Sequence, residues 1–149
     1  MKGLRLLGIG LLMIMPFLAL KAQRAITPQD LEAWKQISAR TISNDGQWAA
    51  VVFTPWRGDS EVQLMSLDGK NVQMYPIASE VKFSSSSAFA LIKQVPSLAL
   101  TDSLKLKKTK ADKMPMDELV VRDLKNGSEW RIDSLKGYRL ADDTVHRKP

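Results

Sequence analysis

Hydrolytic chemistry in this chain would have to come from its serines, its carboxylates and one histidine. His146 follows Asp142 and Asp143 closely. A histidine steadied by an aspartate can act as a general base, and the same pair could ligate a metal. Neither use is completed by the rest of the sequence. There is no second histidine and no cysteine, and no Gly-x-Ser-x-Gly elbow occurs anywhere. Residues 142–149 are polar and terminal, and they read as a chain end. Ser84, Ser85, Ser86 and Ser87 form a run of four hydroxyls. A serine without a base in reach is not an activated nucleophile, so this run reads as a turn. Asp117 and Glu118 are adjacent, and on a strand they point to opposite faces and cannot work as a carboxylate pair. Asn126-Gly127-Ser128 matches a glycosylation sequon, but Asn-Gly is fully accounted for as a hairpin turn. The sequence therefore offers no catalytic, cofactor-binding or metal-binding residues, and no cofactor is expected.

One charged feature has a plausible partner. Lys105, Lys107, Lys108, Lys110 and Lys113 crowd nine positions, flanked by Asp102, Asp112 and Asp117. They could touch anionic lipid or polysaccharide, or they could line a solvated loop. No aromatic residue interleaves with them, so stacking on nucleic-acid bases is unsupported. Trp56, beside Pro55 and Arg57-Gly58-Asp59, is the better candidate for a contact surface; Trp48 and Trp130 read as core or sheet-to-sheet residues.

The chain has 149 residues, enough for one domain, with 44% hydrophobic and 26% charged residues. Half of the net charge of +6 lies at the amino terminus, where residues 1–22 carry Lys2, Arg5 and Lys21 and no acid. The remaining residues hold 19 basic and 16 acidic side chains, a net of +3, so nucleic acid is not an expected partner. A basic start, an apolar run over residues 6–20 and a small residue at Ala22 form the layout of a signal peptide. That run falls short of the roughly 20 residues that span a bilayer. The expectation is a cleaved signal over 1–22, an exported chain that is periplasmic or extracellular, and no stable membrane span after cleavage. An uncleaved anchor is the alternative.

Thr27-Pro28-Gln29-Asp30 predicts a helix start, with Leu31, Trp34 and Ile37 on one face. Such a helix would strap onto the body or hold a partner. Next comes the stretch that organises the rest. Asn44-Asp45-Gly46 is a turn, and the apolar residues 48–53 predict a strand buried on both faces. The pattern returns at Phe83-Ser84, 41 positions after Ile42-Ser43. Two hairpins follow the same logic. One runs from Glu61 through Asp68-Gly69 to Tyr75, and the other from Glu118 through Asn126-Gly127 to Ile132. Their turns lie 58 positions apart, so the second copy carries 17 extra residues between Val95 and Met116. That insertion, with its lysines and no long apolar run, is expected to be an exposed, mobile loop. A repeat near 40 residues with about four short strands is the signature of a β-propeller blade. The expected fold is all-β: a partial β-propeller of about two blades over 23–149, preceded by a short helix and the signal. Two blades cannot close a ring.

Residues 26–31 with Trp34-Lys35, then Ile42-Ser43-Asn44-Asp45-Gly46-Gln47-Trp48, Phe83-Ser84, and a lysine-rich loop ending Met114-Pro115-Met116-Asp117-Glu118-Leu119 resemble the start of secreted, Bacteroidetes-type serine peptidases of the prolyl oligopeptidase family. The resemblance covers residues 26–140. It implies an amino-terminal propeller that restricts peptide access to an α/β-hydrolase domain carrying the Ser, Asp and His of a triad. None of those motif residues occurs in this chain, which alone should hydrolyse nothing. The partners implied are peptide substrate and the hydrolase domain of the same protein. The competing reading is a stand-alone or truncated periplasmic binding module without enzymatic activity; a relic that does not fold stably is a third.

Overall fold

The computed structural model describes Ile26, Thr27, Asp30 and residues 34–140. The expected signal peptide, and the terminal cluster of Asp142, Asp143 and His146, lie outside the described residues. The amino-terminal helix is described only at its start. There Thr27 donates its backbone N–H and its hydroxyl to Asp30 Oδ2, both at 2.7 Å, and Asp30 N–H reaches Thr27 O at 3.0 Å. That geometry opens a helical turn. The expected helical face fails at Ile37, because strand β1 already begins at Lys35.

Eight strands follow in two four-stranded antiparallel meanders. The first sheet has the order β1 (Lys35–Ile42), β2 (Trp48–Pro55), β3 (Glu61–Ser66) and β4 (Val72–Pro76). The second has β5 (Ala78–Phe83), β6 (Phe89–Gln94), β7 (Asp117–Asp123) and β8 (Glu129–Leu135). This is the strand order of two consecutive propeller blades, the fold the repeat predicts. Each sheet opens on the Ser-turn unit. Ser43 N–H bonds Trp48 O and Ser84 N–H bonds Phe89 O, both at 2.9 Å. In return Trp48 N–H donates to Ser43 Oγ and Phe89 N–H to Ser84 Oγ, both at 3.0 Å. The β3–β4 turn repeats the device with Ser66 and Asn71.

The core lies between the sheets. Ala50, Val52, Val62, Leu64 and Tyr75 face Ala78, Val81, Ala90, Ile92 and Val120. Strand β2 is not buried on both faces as its apolar run suggests. Ala50 and Val52 are buried, while Ala49, Val51 and Phe53 on the other face are only half-buried, because no further sheet covers them among the described residues. The two junction faces are not related by a two-fold. Trp48, Ala50 and Val52 point into the core, yet their counterparts 41 positions on, Phe89, Leu91 and Lys93, lie on the outer face of the second sheet. The sheets therefore stack head to tail. Each outer face carries exposed apolar side chains: Ile37, Ile42, Val72 and Met74 on one, Trp130 and Ile132 on the other. A closed two-sheet sandwich would present polar residues there.

The chain passes from the first sheet to the second at Ile77, which adopts φ 58°. A β-branched residue in the left-handed region is costly, and here its carbonyl accepts Val95 N–H at 2.9 Å, which pins the crossing. Ser134 adopts φ 57° at the register shift near the end of β8, and beyond the strand Tyr138 lies with its ring 5.3 Å from Lys82 Nζ on the outer face.

The insertion is not the structureless loop its composition suggests. Ser97 accepts Leu100 N–H on its hydroxyl and starts helix α1 (Leu98–Leu106), and a 3₁₀ turn follows at Ala111–Lys113. The cap and a run of helix-forming leucines outweigh the lack of a buried face: no residue of α1 is buried.

Candidate functional site

The two ends of the stacked sheets differ in chemistry. One end holds the β1–β2, β3–β4, β5–β6 and β7–β8 turns, and its polar groups are spent on one another. Asp45 accepts from Ser43 Oγ at 2.5 Å and from Gln47 N–H at 3.0 Å, and these bonds, the hydroxyl foremost, hold its carboxyl below the usual range. Asp68 is lowered to about 2 by the Ser66 hydroxyl and by Lys70. Asp123 closes the β7–β8 turn through the N–H groups of Lys125 and Asn126, so Asn126-Gly127 is the hairpin turn expected of it.

The serine run belongs to this end. Ser84 and Ser86 hydroxyls lie 3.3 Å apart, and Ser84 Oγ accepts Phe89 N–H. Ser87 adopts φ 56° where the other turns place Gly46, Gly69 and Gly127, and its Oγ accepts Asp45 N–H across the sheet junction at 3.0 Å. Nearby, Asn44 Nδ2 donates to Ser85 O at 3.0 Å. Ser87 Oγ and the Ser85 carbonyl thus tie the blades together, while the Ser84 and Ser86 hydroxyls act within their own turn. Ser87→Ala removes the junction bond and keeps the left-handed strain, so it should cost about 1–2 kcal/mol. Ser87→Gly loses the same bond but relieves the backbone, and should be close to neutral. Urea unfolding of both variants checks the difference.

A charged cluster closes one edge of the junction. Tyr75 on β4 donates its hydroxyl to Glu129 Oε1 on β8 at 2.6 Å. Arg122 Nη1 on β7 donates to the same oxygen at 2.8 Å and to Tyr75 Oη at 3.3 Å. Burial pushes the Glu129 carboxyl up, but the Tyr75 and Arg122 bonds outweigh it and leave it below the ordinary range. Burial and the Glu129 carboxylate raise the Tyr75 phenol. Arg122 Nε is buried without a partner. The sequence gives no hint of this cluster, because its members come from three strands and both sheets. Its three side chains satisfy one another across the sheet junction, which is a structural role.

The opposite end gathers the β2–β3 loop, the Ile77 crossing and the β6–β7 insertion. Leu98 N–H, at the start of α1, donates to Asp59 Oδ1 of the β2–β3 loop at 2.7 Å, tying the insertion of the second sheet to the first. Between α1 and the strand ends lies an open groove of about 400 Å³. Its walls are Ile77, Pro96, Leu100 and Met116, and its polar groups are Gln94, Glu118 and Arg131. Gln94 Nε2 donates to Pro76 O at 2.8 Å, and its Oε1 accepts from Arg131 Nη1 at 3.1 Å. Glu118 Oε2 lies 3.9 Å from Arg131. Asp117 points the other way, to Lys93 Nζ at 2.8 Å, so the two neighbours face opposite sides as the strand period requires. Trp56 stands 91% exposed at this end and Leu106 85% exposed, with the five lysines around α1 and its exit. Trp48 packs against the core, whereas Trp130 is half-exposed on the outer face, edge-on to Phe89 at 6.2 Å.

Among the described residues, no group of three or more His, Cys, Asp or Glu side chains is placed to hold a metal ion. No helix among them is long and apolar enough to cross a membrane. The end with the groove, Trp56 and the lysines is thus the candidate functional surface, and its arrangement suits binding.

No family model and no curated protein matches the chain. Among solved structures it is similar to the β-propeller domain of the trilobed protease from Pyrococcus furiosus, at 16% identity and a TM-score of 0.48, over 71% of this chain and 30% of that one. It is also similar to the acylaminoacyl peptidase of Pyrococcus horikoshii, at 13% identity and a TM-score of 0.48, over 73% of this chain and 15% of that one. The chain spans less than a third of either.

Proposed function

We propose that this chain supplies two blades at the start of a β-propeller domain in an exported serine peptidase of the prolyl oligopeptidase type. The propeller gates peptide access to a hydrolase domain that residues 1–149 do not contain. The observation that carries this reading is the head-to-tail stack with exposed apolar side chains on both outer faces. Exposed Ile37, Ile42 and Val72 on one side, and Trp130 and Ile132 on the other, call for further sheets of the same kind. The ordered motifs of residues 26–119 add the peptidase type. The gate works by exclusion. A ring of blades admits an extended segment and turns away a folded one, so selection needs no catalytic residue on the blades.

The test is to read the coding locus in frame downstream of codon 149. A Gly-x-Ser-x-Gly elbow followed by Asp and His is the expected result. Further repeats with no elbow would overturn the peptidase assignment and leave a binding propeller.

A further inference from the structure

We propose that the end of the stack bearing Trp56 and α1 is a docking face for anionic lipid bilayers. The argument begins from α1. It buries none of its residues, is tied to the first sheet by the Asp59–Leu98 bond, and ends on Leu106, which is almost fully exposed. A nine-residue helix with no buried face gains little from the fold, so its exposed leucines Leu100 and Leu106 remain available to another apolar phase. Lys105, Lys107, Lys108, Lys110 and Lys113 surround that tip and outnumber the acids that flank them, Asp102, Asp112 and Asp117. Trp56, in the loop that anchors α1, is the most exposed large apolar side chain described.

This composition separates a lipid surface from other anionic or apolar partners. Lysines beside an anionic leaflet each add attraction, while an indole and aliphatic side chains settle at the headgroup boundary. A polysaccharide would use the lysines and stack on Trp56, but it would leave Leu100 and Leu106 in water. Protein interfaces are depleted in lysine and favour arginine, and the five lysines here outnumber the two arginines at this end, Arg57 and Arg131. The opposite end, made of tight polar turns, offers no such combination. Contact would be peripheral, with no segment crossing the bilayer.

The experiment is co-sedimentation of the purified chain in its processed form, lacking the basic and apolar residues 1–22, with phosphatidylcholine vesicles containing or lacking phosphatidylglycerol. The expected result is binding to the anionic vesicles alone, weakened at least about tenfold by high salt. Substituting all five lysines by glutamine should weaken it at least about tenfold, and Trp56→Ser with Leu106→Ser should do the same. Circular dichroism of both variants must match the parent, which these surface positions allow. A Trp56→Phe variant should lose the blue shift in emission that the parent shows on binding. Equal binding to neutral vesicles, or undiminished binding by either multiple variant, overturns the proposal. So does a failure to bind any vesicle.

Discussion

Ile92→Ala should destabilise the protein by about 2–5 kcal/mol, the range for truncating a fully buried aliphatic side chain. Ile92 is 0% exposed, pairs with Val81 and Val120 in register, and sits where the two sheets meet. Truncation leaves a cavity walled by strands of both sheets, which the ladders prevent from collapsing. The comparison that gives the experiment meaning is Ile132→Ala. Ile132 is on the outer face of the second sheet and half-exposed, so in this chain its loss should cost less than about 1 kcal/mol. Urea unfolding followed by tryptophan fluorescence reads both. An Ile132 effect as large as that of Ile92 would mean the outer face is already covered in solution, and the description of an open stack would be wrong.

Glu129→Ala should cost about 2–3 kcal/mol, somewhat under the figure for a completely buried pair because the cluster keeps some solvent contact. Its loss leaves the Arg122 guanidinium largely buried with only the Tyr75 oxygen to face. Tyr75→Phe, which keeps the Arg122–Glu129 pair, should cost nearer 1 kcal/mol. The cluster also sets a pH dependence. The Glu129 carboxyl is depressed in the folded protein, so the unfolded chain binds its proton more readily. Its contribution is fully present above the usual glutamate range, near pH 4.3, and is lost as pH falls through the lower folded value. Glu129→Ala should therefore flatten the acid limb of the stability curve, whereas Ile92→Ala should lower the curve without changing its shape. If Glu129→Ala leaves the acid limb unaltered, the carboxylate is not held by the cluster as described.

Much of the fold was legible in the residues. The Ser-turn unit at Ser43 and Ser84, and the turns at Asp68-Gly69 and Asn126-Gly127, mark the hairpins locally, because positive φ and short side-chain-to-backbone bonds are decided within five residues. The 41-residue repeat then implied two blades. Strand β1 was harder to see. It is an edge strand with little burial, so its residues carry no strong pattern, and Trp34 and Ile37 suggest a helical face that the chain does not adopt. Helix α1 was hidden for the opposite reason. Its lysines and its lack of a long apolar run made the whole segment read as loop.

The absence of a catalytic elbow, the serine turns and the repeat were settled by the sequence alone, since each depends only on residue type and near neighbours. Tertiary structure decided how the sheets meet. Only in three dimensions does Ile92 prove to lie in the core between the sheets while Leu91, also buried, lies on the opposite face of its sheet, and only there do Tyr75 and Arg122 share one oxygen of Glu129. The folded chain alone brings Asp59 to the head of α1, so that Trp56 and the lysines stand at the same end. Such juxtapositions join residues 39 to 54 positions apart. Their energies depend on which face of each sheet is dry, and a linear pattern of residue types does not carry that information.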